Sequence, residues 1–582
     1  MDIERTGTDL FIQGDSTEKM GEVTSQKCSF TGTVTDNTGK HSFDCKRIPY
    51  QDGLCIFHLP KSGKEELAPL FIDALKSEIE ESTKSIDYVL DWQGADFPLT
   101  TLDGATFSQQ VLLATARFPE GLTLRNCTFR GKVDFAKAIF GAGNKSLFLD
   151  KCHFLELASF WFAKFSAPIT INRCTFDKEA IFQGCTLDSP DFSESTFSGT
   201  VGFVMTTFKN TSNFKLCNFK GSADFSAIVF DGTPRFDFRL ASFGGKFVFG
   251  AYRDQIGPLS CEELDFSDVK LDEKSSLTFQ YLEVGKIDFY QVRLDDVDLR
   301  FDNVKIGDGD FRKILSNSRA TVSFIDTSLD NALFIDTNIE KFNFIGKTEW
   351  RNLYGRYALR SEDELLQTLD LIGPTTVLTE DQIKEINNKI ETNSENYRQL
   401  VRNYELKRNF SVAEQFHIGE MEMQRRKSHI KRYERHGLTR SIMSFNDFAL
   451  YRLLSRYGTN YMHSFYVLIC GLLLLSLLFM VSGLKENEQR VSGGEEATTI
   501  SYSLVFDADH MVSLRNWENL GRDYMHSLSF VLSTVTFQKN TTLKPSSLGG
   551  EFLRTFMLLI IPAQAALVLL SIRRKFKRSG AE

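Results

Sequence analysis

The sequence predicts a multidomain membrane protein: a four-sided β-solenoid, an α-helical connector, and two transmembrane helices with a short re-entrant helix between them. Three observations predict it. Large apolar residues recur every five or six positions over much of the chain, and phenylalanine is in excess, with 52 Phe against 16 Tyr and 4 Trp. Two late runs come close to the roughly 20 apolar residues needed to cross the hydrocarbon core. The 582 residues suit about three to five folded units. With 42% hydrophobic and 12% aromatic residues there is ample apolar surface to build cores, which excludes wholesale disorder. A net charge of −8 gives no basis for charge-driven nucleic-acid binding, and no nucleic-acid partner is expected.

The first segment, 1–62, opens with Asp2, Glu4 and Asp9 and no apolar run of signal-peptide length, so a cleaved secretory signal is not expected. It carries Cys28, Cys45, Cys55 and His58 as C-x16-C-x9-C-x2-H. Three thiols and an imidazole are a donor set for a tetrahedral structural Zn²⁺, and the closing C-x2-H supplies the compact half. A segment too small to build a core can gain its fold from such an ion. The alternative is four buried side chains with no metal, because the first half lacks a C-x2-C knuckle. No accompanying acid or open-ligand motif points to catalytic zinc. A helical linker, 63–93, follows.

From Ala95 the period near five begins. Phe, Leu or Ile stands at 154, 160, 165, 171, 176, 182, 187, 192, 197, 203, 208, 214, 219, 225 and 230, usually with a small or β-branched residue two positions earlier. Neither a helix nor a half-buried strand has this period. A solenoid with four short sides does, each side turning one large and one small residue inward. Cys127, Cys152, Cys174, Cys185 and Cys217 fall at the small position, so they read as interior side chains of a cytosolic chain and not as a disulfide framework. Block 94–250 should then make roughly seven coils about 4.8 Å apart, about 33 Å tall. After a break at 251–261, block 251–349 resumes with Phe279, Val284, Phe289, Leu294 and Leu299, and again with Phe324, Leu329, Phe334, Ile339 and Phe344. These residues resemble the pentapeptide-repeat family, and the resemblance implies a right-handed quadrilateral β-helix. It implies little about function, because such repeats serve unrelated roles. Some family members mimic duplex DNA with an acidic surface; here 94–250 carries 14 acids and 16 basic residues, which argues against that role.

The helical connector, 350–435, shows capping-box patterns at Thr379-Glu-Asp-Gln382 and Ser411-Val-Ala-Glu414. Tyr397, Leu400, Tyr404 and Ala413 resemble one tetratricopeptide-type hairpin. His417 and Glu420 share a helix face as a metal pair would, but no second pair is visible and a packed face is the simpler reading. Arg425–Arg435 is a basic run placed to touch anionic headgroups. Residues 436–462 form an amphipathic stretch suited to the membrane interface. It resembles the sliding helix before the first span of two-helix channels; a plain cytosolic amphipathic helix is the alternative.

Transmembrane helix 1 is expected at 463–484 and helix 2 at 550–573, with an extracytoplasmic loop at 485–524 and a basic cytosolic tail at 574–582. Nine Lys/Arg against two acids between Arg425 and Arg456, five more basic residues in Arg573–Arg578, and six against nine acids in 485–552 place both termini in the cytosol at the cell (inner) membrane. Met525–Phe537, within the segment 525–549, is too short to span but suits a re-entrant helix. Span, short helix, polar turn, Pro545, span resembles the pore module of two-transmembrane potassium channels over Tyr461–Lys575. The resemblance implies an oligomer of four, and it sets Thr534, Thr536 and Phe537 at the lead into a filter. The filter positions themselves read Phe537, Gln538, Lys539 and Asn540, with no glycine to turn carbonyls inward, so potassium selectivity is not expected. A ring of Lys539 facing the axis would repel cations; a Lys539 turned outward would let them pass. Pro562, mid-span, is a candidate gating hinge or a static kink.

The function these features predict is an oligomeric, ion-channel-like membrane pore with a cytosolic repeat domain acting as sensor or scaffold. Its partners are membrane lipid and a protein or small molecule on the solenoid; the permeant ion is not specified. The alternative is a non-conducting membrane-anchored interaction scaffold. The sequence has no nucleophile elbow, P-loop, dinucleotide fingerprint or HExxH, so no enzyme is expected.

Overall fold

The computed structural model describes residues 27–579 apart from 37–38, 61–63, 65, 86, 99, 142–145, 252–258, 318, 372–377, 431–446, 487–516, 539–542 and 546. The chain divides into two compact units. The first holds the N-terminal segment and the solenoid, through Leu353 and again over Ala358–Glu364; the second holds Tyr354–Tyr357 and Leu365 onward.

The first unit is a β-solenoid of about 11 turns. One coil shows how the five-residue period works. Residues 133–134, 139–140, 147–150 and 153–154 are four short strands, each paired in parallel with its counterparts one coil away. Val133 pairs with Val111 and Ala158, Phe140 with Phe118 and Phe165, Leu149 with Leu124 and Ile171, and Phe154 with Phe129 and Phe176. Like residues stack in register although the coils differ in length, 22 residues from Val111 to Val133 and 25 from Val133 to Ala158, and the phenylalanines form columns. Phe107, Phe129, Phe154 and Phe176 stack nearly parallel with centroids 4.3, 4.8 and 4.7 Å apart. A second column, Phe214, Phe238 and Phe266, stacks at 4.9 and 4.6 Å, and Phe238 meets Phe225 and Phe247 of other columns edge-on. Stacking along the axis and edge contacts across it are the two arrangements that ring quadrupoles favour.

The break at 251–261 does not end the solenoid. Phe247 and Phe249 pair with Leu277 and Phe279, and Leu264 pairs with Phe236 on one side and Ile287 on the other, so both repeat blocks belong to one stack.

The small inward positions have a second use. Cys217 Sγ donates to the Phe192 carbonyl at 3.0 Å, Cys185 Sγ to Phe160 at 3.0 Å, Thr206 Oγ1 to Phe182 at 2.7 Å, and Ser195 Oγ to Ile171 at 2.7 Å. Each ties its coil to the preceding one, which explains why Cys, Ser and Thr recur there. Burial pushes the Cys185 thiol up to about 12, so it remains a donor at neutral pH. The residue before each small one turns the corner in the left-handed region, as at Asn126, Lys151, Arg173 and Leu216.

At another corner Gly199, Gly221 and Gly245 stack, and a Cβ on Gly221 would lie 2.2 Å from the Gly199 carbonyl oxygen. Their backbone dihedrals are ordinary; the closeness of adjacent coils is what requires glycine. Gly221→Ala should cost about 1–3 kcal/mol through overpacking, read as a lower urea midpoint.

The N-terminal end is closed by a hairpin of β1 (Thr31–Asp36) and β2 (Gly39–Asp44) and by α1 (Ala68–Ser82). Phe71, Leu75 and Ile79 of α1 are buried at four-residue spacing, and Phe71 meets Phe57 and Phe97 edge-on. The first coil begins at Leu90, inside the segment expected as linker. Lys64, 1% exposed, donates to the carbonyls of Phe57 and Asp96, and burial pulls its ammonium down to about 8.

Helix α2 (Arg360–Leu371) begins in the first unit and ends in the second, which continues with an antiparallel pair, α3 (Glu380–Leu406) and α4 (Phe410–Ile430). Thr379 and Gln382 form the expected capping box. Ser411 does not cap α4: it lies inside that helix, and Asn409 Oδ1 accepts from the Val412 N–H instead. Tyr397, Leu400, Tyr404 and Ala413 are all buried between the pair, where Phe416 packs on Tyr397 and Tyr404. Four more helices follow: α5 (Asp447–Ser455), α6 (Tyr461–Ser482), α7 (Trp517–Val535) and α8 (Leu548–Ser579). Of the stretch expected to be amphipathic, 436–446 lies outside the described residues.

Candidate functional site

The clearest chemical cluster is the N-terminal one. Cys28 precedes β1 and Cys45 follows β2, so the sixteen-residue spacer is the hairpin itself. The hairpin register, Thr31 opposite Asp44, sets the two thiols side by side. Backbone bonds from Cys28 to Arg47 and from Cys45 to Phe30 close its base. Cys55 and His58 come from one turn, held by the His58 N–H on the Cys55 carbonyl at 3.0 Å.

All four ligand atoms lie within 4.8 Å of one another, and all four residues are buried. Cys45 and Cys55 Sγ are 3.7 Å apart, and His58 Nδ1 is 3.6 Å from Cys28 Sγ and 3.2 Å from Cys55 Sγ. Metal–sulfur bonds of about 2.3 Å at tetrahedral angles put sulfurs about 3.8 Å apart. These four side chains can therefore hold a metal ion.

The surroundings fit that use. His58 Nε2 lies 3.0 Å from the Gln93 carbonyl, a contact that places the ring proton on Nε2 and leaves the Nδ1 lone pair for a ligand. Its ring stacks on Phe30 at 4.0 Å. The Cys55 N–H points at Cys28 Sγ at 3.3 Å, and Arg47 lies 3.9 Å from Cys45 Sγ. A hydrogen bond from Cys55 pulls the Cys45 thiol down against the effect of burial, and the same bond pushes Cys55 up. The pair thus already favours one thiolate, the form a metal binds.

Among the described residues no other such group occurs. His417 Nδ1 lies 3.5 Å from Glu420, but Glu420 also takes Arg398 at 3.2 Å, as a packed and paired helix face does.

The second candidate site is the C-terminal module. α6 and residues 548–573 of α8 are long and apolar enough to cross a membrane. Their most apolar windows are only 22% and 28% buried by the chain itself, unlike the core helix of a soluble domain. Leu474, Leu477, Leu559 and Leu569 face outward. α7 packs against both, with Phe530 and Val531 buried among Leu475, Phe479, Met557 and Ile561. Strands Leu484–Glu486 and Leu543–Pro545 pair at the far end of α6. The short helix expected over 525–537 is therefore the later part of a nineteen-residue helix.

Thr534 is buried and bonds the Phe530 carbonyl at 2.7 Å, and Thr536 bonds Leu532 at 2.8 Å. Phe537 is 78% exposed in the left-handed region, and the Gln538 N–H closes the helix end on Ser533 at 2.9 Å. Lys539 and Asn540 lie outside the described residues. Pro562 sits within α8, which continues on both sides of it.

Gln564 has a role that the sequence does not reveal. Buried in the module, its Nε2 donates to Leu454 O at 3.0 Å and to Ser464 O at 2.9 Å, joining α5, α6 and α8 through one amide. Finding it requires knowing which three segments meet.

Residues 182–229 match a family model described as pentapeptide repeats (9 copies), so the solenoid carries a pentapeptide-repeat domain. No curated protein and no solved structure matches the chain.

Proposed function

We propose that this is an oligomeric membrane protein of pore type, whose pentapeptide-repeat solenoid is a cytosolic sensor or scaffold capped by a structural Zn²⁺. The observation that carries the reading is the packing of α7 against two apolar helices, with Phe530 and Val531 enclosed between Phe479 and Met557. A helix in that place, ending in a polar turn, is what a pore module needs. Thr534, Thr536, Phe537 and Gln538 would then line the constriction, with Lys539 and Asn540 following them in the sequence. A turn without glycine does not aim a ring of carbonyls inward, so potassium selectivity is not part of the proposal.

The basic residues flanking the two spans orient both termini to the cytosol of a cell's inner membrane, and four copies are what the resemblance to two-span channels implies. A ligand or partner on the solenoid or connector would shift α5. Gln564 passes that shift to α6 and α8, with Pro562 as the hinge. The protein is not proposed as an enzyme.

A second reading, a non-conducting membrane-anchored scaffold, is favoured by the Thr534 hydroxyl, which is spent on its own helix. Planar-bilayer recording of the full chain under a KCl gradient separates the two. The pore reading expects a current whose reversal potential moves when Gln538, Lys539 and Asn540 are replaced by Ala. Silence from a preparation shown to be a folded oligomer selects the scaffold.

A further inference from the structure

In the second unit a cavity of about 360 Å³ opens where α4, α5 and the turn at residues 354–356 converge. It is lined by Arg356, Arg425, Arg426, Arg452 and Arg456, and Glu422 is the only acid among the described residues that line it. Its size is in the range of roughly 300–1,000 Å³ typical of small-ligand sites.

The charge is organised as well as abundant. Glu422 and Arg356, each 6% exposed, form the floor, while Arg452 and Arg456 stand on the exposed rim where a ligand would enter. Glu422 is already committed: it takes Arg425 at 2.8 Å, Arg452 at 3.3 Å and the Tyr457 hydroxyl at 2.9 Å. Burial works against its charge, but the two guanidiniums outweigh burial and hold it below the usual carboxylate range, so it stays ionised. Five guanidiniums and one carboxylate line the cavity, and converging like charges favour the arrival of an anion.

All five cations are arginine. The planar fork that arginine presents matches the paired oxygens of a phosphate, a geometry lysine does not offer. The rim backbone is strained: Arg456, Tyr457 and Gly458 are three consecutive left-handed residues between α5 and α6, and two of them are not glycine. Such strain persists where the surrounding structure fixes it and is often found at ligand clamps.

We propose that this cavity binds a phosphate-bearing anion. A soluble phosphate ligand and the headgroup of an anionic phospholipid present the same chemistry, and the cavity lies four residues before α6, where a headgroup would reach it if α6 spans the membrane. The proposal does not depend on conduction: a scaffold would bind the anion equally.

The test uses full-length protein in neutral phosphatidylcholine micelles and follows its melting temperature in two titrations at constant ionic strength. One adds inorganic pyrophosphate; the other adds phosphatidic acid to the micelles. A saturable rise is expected in at least one titration. The apparent affinity should fall on the order of tenfold in R425K/R452K, which keeps the charge and removes the forks, and should also fall in R456Q. Arg456 is exposed, so R456Q keeps the test valid even if the double variant does not fold. A response to pyrophosphate alone assigns a soluble ligand, and a response to phosphatidic acid alone assigns the headgroup; either supports the proposal. No saturable response to either probe, or an affinity unchanged by R456Q and by any folded double variant, overturns it.

Discussion

Cys55→Ser is expected to release the metal and unfold the N-terminal cap while the later coils stay folded. Apparent binding free energies of structural zinc in small domains are about 10–16 kcal/mol, and that energy is also folding energy. The cap has little else to rely on. A single two-stranded hairpin is marginal in water, and the buried apolar residues described between 27 and 60 are the three cysteines, Phe57 and Leu59. Serine keeps the size of the side chain but is a poor ligand for zinc. Elemental analysis should show zinc falling from one ion per chain to near zero. Limited proteolysis should then cut between residues 27 and 60 well before it cuts the coils, and a chelator should reproduce the pattern in the unaltered protein. Cys127→Ser, which changes an interior thiol of the solenoid, is the control and should leave zinc content intact. A cap that keeps its protease resistance after complete zinc removal would sink the metal assignment.

Phe238→Ala should cost about 3–5 kcal/mol, the range for truncating a buried aromatic. Phe238 is fully buried, stacked on Phe214 and Phe266 and edge-on to Phe225 and Phe247, so its removal breaks one column and opens a void beside the others. Phe238→Leu retains most of the volume and should cost less. In a stack where each coil touches only its neighbours, the damage stays local. Urea unfolding of the Ala variant should therefore show a broadened or two-step transition as the coils on either side uncouple. A loss below about 1 kcal/mol with an unchanged slope would mean the columns contribute far less than their contacts imply.

The solenoid was legible because its physics repeats. One inward ring per side leaves a period in the sequence, and Phe107, Phe129, Phe154 and Phe176 stand in register for the reason that made them visible. The Cys/His set was legible as residue types, but its geometry was not: C-x16-C looks too wide until β1 and β2 fold the spacer back on itself. Local patterns misled where two solutions are equivalent, as with Ser411, because Asn409 is an equally good cap nearby. Features that join distant segments left no local trace. Arg356 stands far from Arg425 and Arg452 in the chain, and only the fold puts them around one cavity. The Gly199, Gly221 and Gly245 column likewise becomes meaningful only once the coils are stacked.

The first coil also has a meaning for assembly. A stack of parallel strands ends in a row of unspent backbone donors and acceptors, and identical chains could add there without limit. At this end α1 and the Cys55–His58 turn lie over the coil: Phe71 covers Phe97, and the Asp96 N–H is taken by the Phe57 carbonyl. Under the zinc-capped reading proposed above, the ion that folds the cap would also serve as a stop against polymerisation. Zinc starvation would act on this protein first by exposing a growing end for fibres, and only second by lowering its stability.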